Sequence, residues 1–158
     1  MREIQLTQGL VAIVDDEDFG WLNKFKWCAK KGRNTFYAVR GMQVDGKAKT
    51  IRMHRLIMNA PKEVLIDHDN GNGLFNCKKN LRFCTNQENQ HNQHHPNRSN
   101  KLGIKGVRWN ERRKKFMVQI KINNKDIHIG CFNVLGDADS AYRIAEDKYF
   151  GKFARKVG

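Results

Sequence analysis

The sequence predicts an α+β chain of two small units, each built on short antiparallel strands with few helices. Three observations carry this expectation. Apolar runs such as Leu10-Val11-Ala12-Ile13-Val14 are brief and end in acidic or Gly/Asn clusters, as strands entering turns do. The stretch Pro96-Asn97-Arg98-Ser99-Asn100-Lys101-Leu102-Gly103 is polar and rich in turn formers, which marks a boundary. From Asp137 to Tyr149, the residues Ala138, Ala141, Tyr142, Ala145 and Tyr149 recur on one helical face. The expected division is residues 1–96, a linker at 97–103, and residues 104–158.

Taken in order, residues 1 to about 60 read as β-rich. A short helical turn at Asp18–Lys24 places Trp21, Leu22 and Phe25 on one face, and the aromatic residues here are expected in the core. Thr35–Arg40 and Lys49–Met53 flank Asp45-Gly46, a hairpin signal. His54–Met58 reads as a short helix stopped near Pro61, with His54 serving the scaffold. Val64–His68 is a strand, and Asp69-Asn70-Gly71-Asn72-Gly73 lets the chain reverse. Leu81–Cys84 runs back. Thr85 and Glu88 fit a reciprocal capping box for a helix to about His94, stopped by Pro96. Beyond the linker come strands at Gly106–Trp109, Lys115–Lys121 and Ile127–Phe132, then the helix, ended by Gly151.

The chain has 158 residues, 39% of them hydrophobic, enough for modest cores. Its formal charge is +14 and its pI about 9.9, which points to a polyanionic partner. No apolar run approaches the roughly 20 residues that span a bilayer, and the N-terminus lacks the apolar core of a signal peptide. The sequence therefore predicts a soluble, cytoplasmic protein that binds nucleic acid, with no membrane contact and no obligate protein partner. Cys28, Cys77, Cys84 and Cys131 form no C-x-x-C pair and are expected as reduced thiols.

The stretch from Ile66 to Asn89 holds the chemistry. An acidic residue beside a histidine, Asp67-His68, precedes an Asn/Gly turn, then Lys79-Asn80-Leu81, then Glu88-Asn89-Gln90 at the predicted helix. Here the sequence, over about residues 50–95, resembles the HNH endonuclease family. The resemblance implies a ββα-metal fold, with His68 as general base and Asn80 tying the hairpin together. Asp67 and Asn89 match the metal-holding positions, giving an H-N-N variant of the motif. Carboxylate and carboxamide oxygens suit Mg²⁺, or another divalent cation such as Mn²⁺. Neighbours on a regular strand point to opposite faces, so Asp67 and His68 share a site only where the strand ends or bulges.

Other readings of this stretch are weaker. A calcium loop starting at Asp67 lacks Gly at its sixth place, Asn72, and Glu at its twelfth, Lys78. His91 and His95 have the spacing of a zinc protease but not its Glu. A structural zinc from these histidines, with His94 and Cys84, is a minor alternative.

Residues 97–158 carry fifteen Lys/Arg against six Asp/Glu, while the first 96 carry fifteen against ten. The positive excess is thus concentrated after the linker. Lys105-Gly106-Val107-Arg108-Trp109, Phe116–Ile120, Ile127–Phe132 and Ala141-Tyr142 with Phe150-Gly151 resemble the AP2 DNA-binding domain, over about residues 103–154. That resemblance implies a three-stranded sheet laid in the major groove, with Lys105, Arg108, Gln119, Lys121 and His128 at or near DNA-facing positions. Asp126 stands where a basic residue is common, so base preference does not transfer. The order of segments looks like phage-type HNH homing endonucleases, and implies a Mg²⁺-dependent enzyme cutting double-stranded DNA, working in a bacterial host cytoplasm if phage-encoded. The rivals are a non-catalytic DNA-binding regulator retaining the HNH fold, and an RNA-binding or nucleic-acid-coating protein.

Overall fold

A computed structural model describes residues 1–92 and 100–154. It is a mixed α+β chain of several small antiparallel sheets and few helices, in two compact units, Met1–Asn89 and Gln90–Gly158. Among the described residues, no helix is long and apolar enough to cross a membrane. The predicted helix end at His94, the stop at Pro96, the start of the 97–103 linker and His95 lie outside the described residues.

In the first unit, β1 (Arg2–Gln5) pairs antiparallel with β2 (Val11–Val14), and their alternation sends Ile4, Ala12 and Val14 inward. The acidic run that ends β2 opens helix α1 (Asp16–Leu22), where Asp16, Glu17 and Asp18 suit the positive end of the helix dipole. The expected aromatic face of this helix is only partly right. Leu22 is fully buried, while Trp21 and Phe25 are exposed. Each instead makes a polar contact: Trp21 donates its indole N–H to Asp18 at 3.1 Å, and the Arg40 guanidinium lies 3.8 Å from the Phe25 ring centroid. Trp27 is the aromatic anchor, buried with its N–H donated to the Leu22 carbonyl at 2.9 Å.

Strands β3 (Cys28–Lys31), β4 (Phe36–Val44) and β5 (Lys47–Arg52) form an antiparallel sheet in that order. Asp45 (φ 52°) and Gly46 (φ 71°) both turn left-handed between β4 and β5, the backbone of a two-residue hairpin turn. Helix α2 (Met53–Ile57) follows at once, burying Met53, His54 and Ile57. Then β6 (Leu65–His68) and β7 (Leu81–Cys84) pair as a hairpin, and α3 (Asn86–His91) comes directly after.

In the second unit, β8 (Val107–Asn110), β9 (Lys115–Ile122) and β10 (Lys125–Phe132) make a meander in the order β10-β9-β8. Asn123 (φ 49°) and Asn124 (φ 62°) form the tight turn between β9 and β10. Helix α4 (Leu135–Phe150) packs Ala138, Tyr142 and Ala145 against Val107, Val118 and Ile120. Tyr149, expected on that face, is exposed. The buried ridge instead follows i+4 steps through Ala138, Tyr142, Glu146 and Phe150. Gly106 (φ 72°) is the tightest point of this packing: a Cβ there collides with the Tyr142 ring and comes within 2.7 Å of the Gln119 carbonyl oxygen.

Candidate functional site

The loop between β6 and β7 is held from three sides. Asn80, 6% exposed, ties both of its ends: the side-chain oxygen accepts from the Asn70 N–H at 3.0 Å and the side-chain amide donates to the Phe75 carbonyl at 2.7 Å. Strand β2 grips the middle. Ile13 N–H donates to Leu74 O at 2.9 Å and Asn76 N–H to Ile13 O at 2.7 Å. The acidic start of α1 grips the far end, with Lys78 N–H on Asp15 Oδ2 at 2.7 Å and Lys78 Nζ on Glu17 Oε1 at 2.6 Å. Gly73 is buried in this loop, and any side chain there would run into the Phe36 carbonyl and the Tyr37 ring. A loop so tied presents fixed groups, as a preorganised site requires.

His68 closes β6. It is 5% exposed, and its Nε2 lies 3.3 Å from Asn76 Oδ1. Asn76 donates its own amide N–H to Leu74 O at 3.1 Å, so the oxygen is the atom facing the imidazole. Burial pushes the His68 pKa below its usual value of 6.5, against the opposing pull of the Asn76 hydrogen bond and the Asp67 charge. A neutral imidazole facing an acceptor carries its proton on Nε2. Nδ1 is then the basic nitrogen.

His54 of α2 stands beside it. The two rings are 4.9 Å apart between centroids at 88°, and Tyr37 of β4 lies 5.7 Å from His54 and 5.9 Å from His68. Burial, then the neighbouring His68, Arg52 and Arg55, drives the His54 pKa down to about 3, so it too is neutral. His54 Nδ1 is buried without a hydrogen bond.

Asp67 points the other way. The register is regular, Asp67 opposite Arg82 and His68 opposite Leu81, so the two neighbours fall on opposite sides of the hairpin without a bulge. The strand does end at His68, which leaves only the first condition for a shared site met. Arg82 donates to Asp67 Oδ2 from Nε at 2.9 Å and Nη2 at 2.7 Å, and to Asp69 Oδ1 from Nη1 at 2.5 Å. Asp67 is 6% exposed, so this pairing offsets much of its desolvation.

Asn89 sits on α3, whose start is the predicted capping box: Thr85 N–H donates to Glu88 Oε2 at 2.8 Å and Glu88 N–H to Thr85 Oγ1 at 3.2 Å. No residue of α3 is buried, Asn89 included, and no hydrogen bond joins its side chain to another described residue. The structure thus brings His68 and Asn80 together with His54, Tyr37 and Asn76, and keeps Asp67 with Asp69 and Arg82. Oxygen donors of the Asp67, Asp69 and Asn89 types fit a hard dication chemically, and Arg82 competes for the two carboxylates. Among the described residues no three His, Cys, Asp or Glu side chains gather as a metal cage; one carboxylate with one carboxamide is not such a group. Of the residues weighed for zinc, Cys84 has its thiol pKa raised to about 11 by burial and by Asp67 and Glu88, and His91 stacks on Phe150 at 3.7 Å and 9°.

In the second unit, strand alternation separates the helix-facing residues from an outer face. That face is concave, and its lining includes Arg108, Asn110, Arg113, Met117, Gln119 and His128, together with Arg112 and Asp126. Lys121, opposite Asp126, shares the face. A register shift between His128 and Gly130 brings Cys131 onto it as well, its sulfur 3.8 Å from His128 Nε2. Lys105 does not join them: its ammonium lies 3.3 Å from the buried Glu146 carboxylate and donates to the His91 carbonyl at 2.7 Å. Sequence reasoning missed Asn110, Arg113 and Met117, since placing them needed the exact register. It also missed Asn76 and Arg82, whose partners only the folded loop defines.

No protein-family model matches the chain, and neither a curated protein nor a solved structure matches it.

Proposed function

We propose that the chain is a divalent-cation-dependent endonuclease of the HNH type that cuts double-stranded DNA. The observation that carries this reading is His68: a neutral, oriented imidazole at the end of a hairpin strand, with Nε2 tied to Asn76 and Nδ1 as the base. In the proposed reaction His68 Nδ1 takes a proton from water as the water oxygen bonds to phosphorus. The bond from phosphorus to the 3′ oxygen then breaks, the departing oxygen takes up a proton from solvent, and a 5′ phosphate and a 3′ hydroxyl are left. A Mg²⁺ ion would need Asp67 freed from Arg82 and turned past the strand end towards His68; held there with Asn89, it would supply charge stabilisation at the phosphate and the leaving oxygen. His54 and Tyr37 hold the imidazole plane, and Asn80 holds the loop that carries Asn76. The outer sheet face of the second unit supplies the grip on duplex DNA, with Arg108 and Gln119 suited to base edges and Lys121 to phosphate.

One observation favours a second reading. Asp67 is already engaged by Arg82, and no hydrogen bond joins the Asn89 side chain to another described residue. A DNA-binding regulator that keeps the nuclease scaffold without cutting would look the same. Supercoiled plasmid with purified protein separates the two. Nicking in Mg²⁺ that stops in EDTA supports the enzyme, while binding without nicking supports the regulator. Competition between duplex DNA and RNA addresses the third class: preference for RNA overturns both.

A further inference from the structure

The β4–β5 hairpin runs beyond the core of the first unit. Among Gly41–Gln43 and Asp45–Thr50 every residue is exposed, so both faces of the two-stranded ribbon meet solvent. A hairpin extended this way buries little apolar surface, and burial does not account for its length. Its composition is one-sided: Arg40, Lys47, Lys49 and Arg52 against the single acid Asp45.

The register sorts these cations. Lys49 opposite Met42 shares one face with Lys47. Arg52 opposite Val39 and Thr50 opposite Gly41 lie on the other. On that second face Lys30, Thr50, Arg52 and Lys62 line a concave surface. Arg55, which also lines it, is committed to the protein, donating to the carbonyls of Val64, Ala60 and Pro61. Lys30, Lys47, Lys49, Arg52 and Lys62 make no ion pair with a carboxylate among the described residues, unlike Lys78 and Arg82 of the same unit. Arg52 links this surface to the histidine pair by contact: its guanidinium lies 5.3 Å from the centre of the Tyr37 ring, which neighbours both His54 and His68.

We infer that the β4–β5 ribbon and the Lys30/Arg52/Lys62 concavity form a second duplex-DNA surface, carried by the first unit and separate from the sheet of the second. This inference rests on the nuclease reading and adds to it where the substrate strand is held. The major groove, about 12 Å wide, admits a two-stranded ribbon. Lys47 and Lys49 then meet phosphates on one side, and Arg52, Lys30 and Lys62 receive the backbone on the other, where Arg52 adjoins the Tyr37 ring. Lysines neutralise phosphates without reading bases, so this surface adds affinity and orientation, and sequence preference stays with the second unit.

The test uses the full chain and a labelled duplex of about three helical turns, with EDTA present so that no cutting interferes. Affinity is measured from about 50 to about 200 mM salt. Each phosphate contact adds about 0.9 to the slope of log affinity against log salt. The pair Lys47→Gln/Lys49→Gln is expected to lower that slope by about 1.8, which shrinks the loss of affinity over this range roughly tenfold. Lys30→Gln/Lys62→Gln is expected to act likewise. Both variants should keep the melting temperature and the ranking of DNA sequences. An unchanged slope in both, while Arg108→Ala still weakens binding, overturns this surface and leaves the nuclease reading standing. No binding of duplex by the unaltered chain overturns both. A lowered slope with no Mg²⁺-dependent nicking supports the surface and defeats the nuclease.

Discussion

His54 stands edge-on to His68, with ring centroids 4.9 Å apart and planes at 88°, both rings buried. Neither is a charged partner for the other. Each is held neutral by burial, and a proton on one raises the cost of a proton on the other. A pair of neutral imidazoles behind a hairpin end suits a base that must accept a proton near neutral pH.

The same burial makes the fold sensitive to acid. In the unfolded chain His54 takes up its proton near 6.5, while in the folded chain it does so only at about 3. Between those values the unfolded state binds more protons, so stability is full above about 6.5 and falls as pH drops. The slope from His54 alone approaches about 1.4 kcal/mol per pH unit, and His68 acts in the same direction. Urea unfolding at pH 7 and pH 5 should show a loss of about 2 kcal/mol from His54. His54→Gln should have a visibly flatter profile; an equally steep one contradicts the assignment.

Arg82 and Asp67 form the other buried relationship of the hairpin. Arg82→Gln leaves a nearly buried carboxylate without its guanidinium and should destabilise the first unit by about 3 kcal/mol. Adding Asp67→Asn removes the stranded charge, and the double variant should recover a large part of that loss. A double-mutant cycle with no coupling between the two positions counts against the pairing.

Much of this was legible in the sequence, and the limits have physical causes. The Asp45-Gly46 turn, the Thr85/Glu88 capping box and the Gly151 helix end follow from local chemistry, and each forms as expected. Trp21, Phe25 and Tyr149 were misplaced because periodicity marks a face without saying how far the covering element extends. The Asp67–His68 pair was legible as residues but not as geometry. Only the register puts Arg82 opposite Asp67, and only the loop fold brings Asn76 to His68. Lys105 looked like a DNA contact by position, yet Glu146, buried on a helix expected to show alanines, claims it.

Gly106 offers a check on the second unit. Gly106→Ala adds a Cβ at φ 72° against the Tyr142 ring and should cost about 3 kcal/mol, from left-handed strain together with overpacking. Thermal unfolding should show this loss, and pairing with Tyr142→Leu should relieve part of it. A melting temperature equal to that of the unaltered chain would mean the packing differs.

On the outer sheet face, Arg108→Ala should cost about 1–3 kcal/mol of binding and relax preference at one base position. Lys121→Ala should weaken all sequences alike and lower the salt slope by about one contact. Selection from a randomised duplex pool, followed by titration at several salt concentrations, distinguishes the two effects. Identical behaviour of the two variants would show that Arg108 reads no base.

The most direct test of the nuclease account is the nicking rate of His68→Ala on supercoiled plasmid in Mg²⁺, beside the unaltered chain at equal DNA occupancy. The expected rate is at least about 100-fold lower, partly restored by added imidazole, with DNA affinity unchanged. Nicking by His68→Ala at the rate of the unaltered chain would contradict it.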